Sequence, residues 1–307
     1  MINNLLIFII SLSLVIKGAT LATKYAAKLA SGFQLSKYTI GFIIVAGVSI
    51  LPETFISISS ALKGVPSFGL GVLFGSNIAD LTLVFTIIIL TARRGIKIES
   101  KILKNDSIYP FLLLLPLAFG LDGYFSRLEG TLLIVVGIIF YWVSLKNGVG
   151  SALTHEENGR CKSLFLFLVS MIMLLIGSHF TVTSATLLAT ALQINPILIG
   201  MLIVGLGTTL PELLFSLKSV RAGDDSLAIG DVLGTVLADA TIVVGILAII
   251  NPFSFPQQII YVTGIFMVLA ASILFRFMKS GKTLTTKEGY ALLAFWVIFV
   301  LVEFIAN

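Results

Sequence analysis

Apolar residues form long runs along almost the whole chain, and most runs are long enough to cross a bilayer as helices. About ten runs can be marked, separated by polar, glycine and proline clusters. They cover residues 4–30, 38–62, 67–92, 107–121, 128–146, 163–191, 197–219, 226–250, 257–278 and 286–305. The first run is long, so we expect a tilted helix there, whereas the fourth is short. The pattern predicts an all-α polytopic membrane protein with about ten transmembrane helices.

Composition narrows the class further. Of the 307 residues, 57% are hydrophobic and 11% are charged, whereas a soluble domain carries about a quarter charged residues. The single Cys161 excludes an internal disulfide framework, and two histidines are too few for a histidine-rich metal site. The excess of basic residues lies in the loops, so it indicates a lipid bilayer as partner and no nucleic acid. The first run has no positively charged leader, and we interpret it as a retained helix.

The loops divide the basic residues unevenly. With the N-terminus outside, the outer loops hold only Lys63 and Arg127, and the other loop lysines and arginines face inward. This asymmetry predicts that both termini lie outside a cell membrane. Five runs per half is an odd number, so the second half should be inserted upside down relative to the first. We expect a first repeat at 1–147, a short cytoplasmic linker at 148–162 and a second repeat at 163–307, with no oligomer implied.

The most polar stretch inside an apolar run is GLGTTLPE, at residues 205–212. Pro211 has no N–H, and its ring clashes with a carbonyl one turn earlier, so the helix should bend or open there. Glu212 places a carboxylate at membrane depth, where such a group is expensive and functional by default. Freed carbonyls, two hydroxyls and a carboxylate together form the oxygen-rich surroundings that a hard cation needs.

This stretch has a twin in the first half, AGVSILPE, at residues 46–53. Adding about 159 to a residue number in the first copy gives its counterpart in the second, which pairs Glu53 with Glu212 and Asp80 with Asp239. The same offset pairs several glycines: Gly41 with Gly200, Gly64 with Gly223, Gly71 with Gly230 and Gly75 with Gly234. The chain therefore consists of two inverted five-helix repeats, a layout that places an ion site at the interface of the repeats.

Four carboxylates from four helices should meet near the midplane: Glu53, Asp80, Glu212 and Asp239. Neutral oxygens would come from hydroxyl side chains nearby: Ser49, Ser76, Thr208, Thr209 and Thr235. Each aspartate follows a hydroxyl residue by one helical turn and shares its face. Six to eight oxygens with compensating carboxylates suit calcium, whereas zinc or copper would require imidazole or thiolate ligands.

Three further polar residues give weaker signals. Lys17 lies within the first run, where it either snorkels to the interface or pairs with a carboxylate. His179 is more typical of a helix contact. Asp231 has an apolar repeat mate, Val72, so the repeat gives it no support.

The motifs LPE…GSNIAD and TTLPE…GTVLAD resemble the alpha repeats of the calcium/cation antiporter superfamily, and of the prokaryotic sodium/calcium exchangers in particular. The resemblance covers the whole chain. It implies calcium held by Glu53, Ser49, Glu212 and Thr208. It also implies one flanking sodium site at Thr208, Thr209, Ser76, Glu53 and the Gly205 carbonyl, and a mirror site at Ser49, Thr235, Glu212 and the Ala46 carbonyl. Calcium and sodium would then be transported substrates, with no cofactor, and the two long spans would slide against the site in alternating access.

The chain departs from the family pattern at several positions. Ile50 stands where serine is usual, Asp80 where asparagine is frequent, and Val72, Asp231 and Val236 replace asparagines. A proton- or potassium-coupled cation exchanger of the same fold therefore remains open, and four neighbouring carboxylates should also bind protons because like charges resist joint ionisation. No nucleotide-binding motif is present, so an ion gradient must supply the energy. A remote alternative is an intramembrane aspartyl protease built on Asp80 and Asp239, although its G-x-G-D motif is missing.

Overall fold

A computed structural model describes residues 2–30, 39–98, 108–146 and 160–306. Within these ranges the chain folds into ten helical spans joined by short turns. In chain order they are α1 (Ile2–Ala30), α2 (Ile40–Leu62), α3 (Pro66–Ala92), α4 (Ile108–Phe119), α5 (Arg127–Lys146), α6 (Arg160–Leu192), α7 (Pro196–Arg221), α8 (Asp225–Ile250), α9 (Ile259–Gly281) and α10 (Thr286–Ala306). Four two-residue strands lie in the connections: β1 (Ile96–Lys97), β2 (Tyr124–Phe125), β3 (Phe253–Ser254) and β4 (Thr283–Leu284).

The spans agree closely with the hydrophobic pattern. Nine of the described helices are long and apolar enough to cross a membrane, and α4 is the short one, as its apolar run predicts. Helix α6 starts at Arg160, within the range 148–162 that the sequence assigns to the linker. The rest of that linker, with His155, lies outside the described residues.

Strand pairing supports the inverted arrangement of the two halves. β1 follows the third helix of the first repeat, and it pairs with β4, which follows the fourth helix of the second repeat. β3 follows the third helix of the second repeat, and it pairs with β2, which follows the fourth helix of the first. Since α9 separates β3 from β4 by one crossing, the equivalent turns β1 and β3 lie on opposite sides of the molecule. We call these sides the β1–β4 side and the β2–β3 side.

The two Pro-Glu helices bend without unwinding. Helical structure is interrupted only at Ile50 in α2 and at Thr209 in α7, and both residues keep right-handed helical dihedral angles. The sequence allows either a bend or an open helix, and the structure shows a bend. The N–H groups of Thr54 and Leu213 still donate to the carbonyls of Ile50 and Thr209, so the helical turn is kept. The glutamate that follows each proline is therefore held by an ordered helical turn.

Wider, π-helical turns recur at equivalent places in the two halves. One pair opens at each aspartate, at Asp80–Val84 in α3 and Asp239–Val243 in α8. A second pair precedes each Pro-Glu bend, at Ile40–Val45 in α2 and Gly200–Val204 in α7. Such turns are rare and frequently mark functional sites, because they re-aim side chains and loosen the backbone hydrogen bonds.

Glycines bring the helices of opposite halves into backbone contact. A Cβ atom at Gly75 of α3 would lie 2.2 Å from the carbonyl oxygen of Met201 in α7. At the repeat mate, Gly234 of α8, it would lie 2.4 Å from the carbonyl oxygen of Phe42 in α2. Only glycine permits this approach, so each aspartate helix packs directly on the Pro-Glu helix of the other half.

The two longest helices, α1 and α6, pack against each other beside this core. Their crossing also uses repeat-equivalent glycines, since Cβ atoms at Gly18 and Gly177 would lie 3.1 Å from Met173 and 2.8 Å from Val15. Leu12 of α1 reaches the core and rests on Gly207, one turn before Pro211 of α7. The α1–α6 pair therefore covers the Pro-Glu bend of α7 from the side.

Candidate functional site

The four carboxylates selected from the sequence are buried together in the centre of the helices. Glu53, Asp80, Glu212 and Asp239 are each at most 1% exposed and come from α2, α3, α7 and α8. Both first-half carboxylates lie close enough to both second-half carboxylates to repel them. The glycine contacts between the halves explain this convergence, because they draw the four helices together just before each aspartate.

Most of these carboxylate oxygens have no hydrogen-bond donor. Among the described residues, both oxygens of Glu212 and Asp239 and one oxygen each of Glu53 and Asp80 are buried without a partner, as is the Thr235 hydroxyl. A buried polar atom without a partner costs about 1–3 kcal/mol, and more when it is charged. A set of such oxygens within one fold is chemically suited to cations or protons.

Two hydroxyl groups of the site, those of Ser76 and Thr209, donate their protons to backbone carbonyls and so leave oxygen lone pairs free. Ser76 donates to the Leu73 carbonyl at 3.1 Å, and the Thr208 hydroxyl bonds to the Gly205 carbonyl at 3.0 Å and lies against the Glu53 carboxylate. Thr209 also donates to the Gly205 carbonyl, at 2.9 Å. A cation bound to the Gly205 carbonyl would therefore share this oxygen with two hydroxyl groups. Among the bonds described, the equivalent Ala46 carbonyl accepts only the Ile50 N–H, at 3.0 Å.

The carboxylates do not form a finished metal centre by themselves. In the part of the chain that the structure describes, no three histidine, cysteine or carboxylate side chains cluster tightly enough to hold a metal ion alone. Hydroxyl and carbonyl oxygens must therefore complete any coordination shell, in agreement with the expectation that neutral oxygens are part of this site.

A fifth carboxylate, Asp231, joins the four that were selected. It is fully buried in α8, and the Ser49 hydroxyl of α2 donates to its Oδ1 atom at 2.9 Å. It lies close enough to Asp80 and Glu212 to repel both. Its apolar repeat mate gives it no support from the repeat. Its spacing of four and eight residues before Thr235 and Asp239 is the signal that could have found it, because this spacing places all three on one helix face.

The other weak candidates lie away from the centre. Lys17 is exposed on α1. His179 stacks edge-on against Phe180, and its Nε2 atom lies 3.4 Å from the Lys63 ammonium, which also bonds to Thr183. Partial burial lowers the pKa of Lys63 from its ordinary value. His179 is thus a helix-contact residue, as expected.

Comparison with known proteins agrees with this geometry. The sodium/calcium exchanger protein family model matches residues 3–146 and 162–305, one block for each repeat. The chain belongs to this family of ion-exchanging membrane proteins. It is thus a multi-pass membrane transporter driven by ion gradients and not an enzyme, which removes the aspartyl protease alternative.

Several relatives share nearly the full length of the chain. An uncharacterised membrane protein of Methanocaldococcus jannaschii is 28% identical over 300 residues, which cover 95% of each chain. The sodium/calcium exchanger MaX1 of Methanosarcina acetivorans is 26% identical, with 98% of each chain covered. Among solved structures, the sodium–calcium exchanger NCX_Mj, soaked with sodium and strontium, superposes with a TM-score of 0.74 at 26% identity, again over 98% of each chain.

Proposed function

We propose that this protein moves calcium across a prokaryotic cell membrane in exchange for sodium, and that calcium is the exported ion. The observation that carries the proposal is the central set of buried carboxylates, whose oxygens lack donors and which occur at equivalent positions of two inverted repeats. Two similar halves in opposite orientation allow two similar end states, one open to each side of the membrane. Family membership supports the same pair of ions.

In this proposal calcium binds between Glu53 and Glu212, with hydroxyl oxygens from Ser49 and Thr208. Sodium binds beside it, on one side at Ser76, Thr208, Thr209 and the Gly205 carbonyl, and on the other at Ser49, Thr235 and the Ala46 carbonyl. Asp80 and Asp239 complete the centre between these sites. Because sodium and calcium share the two glutamates, one ion set must leave before the other binds, and this competition couples their movements.

Access to the site would alternate through movement of the α1–α6 pair. Leu12 of α1 covers α7 at Gly207, so sliding of α1 past α7 would uncover the Pro-Glu bend on one side and cover it on the other. The uneven distribution of basic loop residues supports an orientation with the β1–β4 side in the cytoplasm and both termini outside. In this orientation Arg94 faces the cytoplasm, where it forms an ion pair of 2.7 Å with Asp225.

The counter-ion is tested with purified protein in proteoliposomes. Calcium flux is followed under an imposed sodium, potassium or proton gradient at matched membrane potential. We expect a sodium gradient alone to drive calcium uphill. If a proton or potassium gradient drives calcium movement and sodium has no effect, the protein is instead a proton- or potassium-coupled exchanger of the same fold.

The glutamates are tested by removing one charge at a time. Glu53→Gln and Glu212→Gln should each abolish calcium exchange, because the amide keeps the shape of the side chain but not its charge. Glu303→Gln is the matched control: Glu303 is a buried carboxylate of α10 that accepts a hydrogen bond from Thr263 at 2.7 Å, outside the proposed site. Thermal unfolding of the three purified variants checks that each is folded. Normal calcium exchange in Glu53→Gln or Glu212→Gln would refute the assignment of these glutamates as calcium ligands.

A further inference from the structure

Asp231 extends the polar face of α8 by one turn beyond the proposed site. The face carries Asp231, Thr235 and Asp239, whereas the equivalent face of α3 carries Val72, Ser76 and Asp80. Asp231 lies roughly 6 Å from Thr235 along the helix axis. It lies nearer the β1–β4 side, because α8 begins at Asp225, which accepts the N–H of Lys97 in β1. The two flanking sodium sites of the proposed function therefore differ by one carboxylate.

The contacts of Asp231 point to a bound cation. Its Oδ1 atom accepts the Ser49 hydroxyl, but its Oδ2 atom is buried without a donor, as are the nearby Glu212 carboxylate and Thr235 hydroxyl. No described basic side chain contacts Asp231, so the protein supplies no positive group to balance a charge there. Because the Ser49 hydroxyl donates its proton to Asp231, the lone pairs of its oxygen remain available to a cation.

The pocket is also the one that lacks a hydroxyl. Thr209 supplies that hydroxyl in the other flanking site, and its repeat mate here is Ile50. The helices α2 and α8 approach closely here, because a Cβ atom at Gly234, next to Thr235, would lie 2.5 Å from the Cβ of Ala46. A small cation bound there would have Ser49, Thr235, the Ala46 carbonyl and Glu212 as partners, with Asp231 in addition.

We propose that Asp231 is the anionic ligand of a sodium pocket beside Ser49, where it takes the place of the hydroxyl missing at Ile50. The inference rests on the proposed sodium/calcium exchange and adds a residue and a charge to it. A pocket with two carboxylates holds a sodium ion more firmly than its mirror pocket. The two sodium sites of the protein are then unequal, and the firmer one lies toward the β1–β4 side.

The test compares Asp231→Val and Asp231→Asn with the wild-type protein. Valine is the residue at the repeat mate, and asparagine keeps an acceptor for Ser49 while it removes the charge. Asp225→Asn is the matched control, since it removes a charge from the same helix outside the pocket. Thermal unfolding of purified protein is measured against sodium concentration in choline chloride, and separately against calcium concentration, so that sodium binding is read without transport.

In both Asp231 variants we expect the sodium concentration for half-maximal stabilisation to rise at least tenfold. The calcium concentration for half-maximal stabilisation should rise less than threefold. In Asp225→Asn the sodium concentration should change less than twofold. Sodium binding unchanged in Asp231→Asn but lost in Asp231→Val would show that Asp231 only positions Ser49, and would overturn the proposal. Equal loss of sodium and calcium binding would overturn it too. A lower melting temperature of both variants in choline alone would indicate a structural role and refute it. If wild-type protein binds sodium but does not exchange it for calcium, the proposed function fails while this inference stands.

Discussion

Gly75→Ala tests whether the backbone contact between the two halves positions the site. The added methyl group would lie 2.2 Å from the carbonyl oxygen of Met201 and 2.8 Å from its carbonyl carbon and Cα. Carbon atoms in favourable contact are about 3.5–4.0 Å apart, so α3 and α7 must separate by roughly 1 Å. All three atoms belong to the backbone of α7, so rotation of a side chain cannot relieve the clash.

The energetic cost follows from this overlap. Overpacking of this kind costs about 1–3 kcal/mol, and it outweighs the gain of about 1 kcal/mol from replacing glycine by alanine within a helix. The effect on function should be larger than the effect on stability, since binding groups must be held to within about 0.5 Å. Gly75 immediately precedes Ser76, so the displacement acts directly on the site, and we expect calcium exchange to fall at least tenfold.

Gly47→Ala provides the matched control within the Pro-Glu motif of α2. A Cβ atom at Gly47 meets nothing within 4 Å. This variant should exchange calcium within twofold of wild type and unfold at the same temperature or slightly higher. Exchange is measured in proteoliposomes and stability by thermal unfolding of the purified protein. Equal behaviour of the two alanine variants, in either direction, would refute the argument that close packing of α3 on α7 sets the geometry of the site.

Two further predictions concern the ions themselves. Thr209→Val should make sodium-driven calcium exchange much weaker, whereas Ile50→Ser should change it little, because Thr209 supplies a hydroxyl that Ile50 does not; an equally steep sodium dependence in Thr209→Val would contradict the flanking site. Acid should compete with calcium, since protonation removes the charge that calcium requires and five carboxylates share the site. Asp80→Asn makes one neutral side chain permanent and should flatten this dependence without abolishing binding, which calcium titrations between about pH 5 and about pH 9 would show. Identical pH profiles, or complete loss of calcium binding, would rule out Asp80 as the proton-binding residue.

The sequence predicts those features of the fold that depend on local chemistry or on the repeat. Apolar runs locate the helices because a membrane span needs a minimum apolar length. The offset between the halves identifies Glu53 with Glu212 and Asp80 with Asp239, and the structure brings these four residues together. Glycine pairs indicate close packing, although they do not say which helix each glycine meets.

The features that could not be predicted depend on contacts between distant parts of the chain. Ser49 and Asp231 are 182 residues apart, and nothing local connects them. Repeat symmetry gives Asp231 no support, because its repeat mate Val72 carries no charge. The sequence also left open whether each Pro-Glu helix bends or opens, and the structure retains the helical turn in both.

The packing of helices from one half against helices of the other half has a consequence for how the protein is made. Each aspartate helix packs on the Pro-Glu helix of the other half, so neither half contains the backbone contacts that shape the site. While the ribosome is still translating the second half, Glu53 and Asp80 are already in the membrane without the surfaces that will enclose them. The carboxylates of the first half are therefore enclosed only after α7 and α8 have been inserted. The same interlocking would let two separate half-length chains, inserted in opposite directions, assemble the site between them.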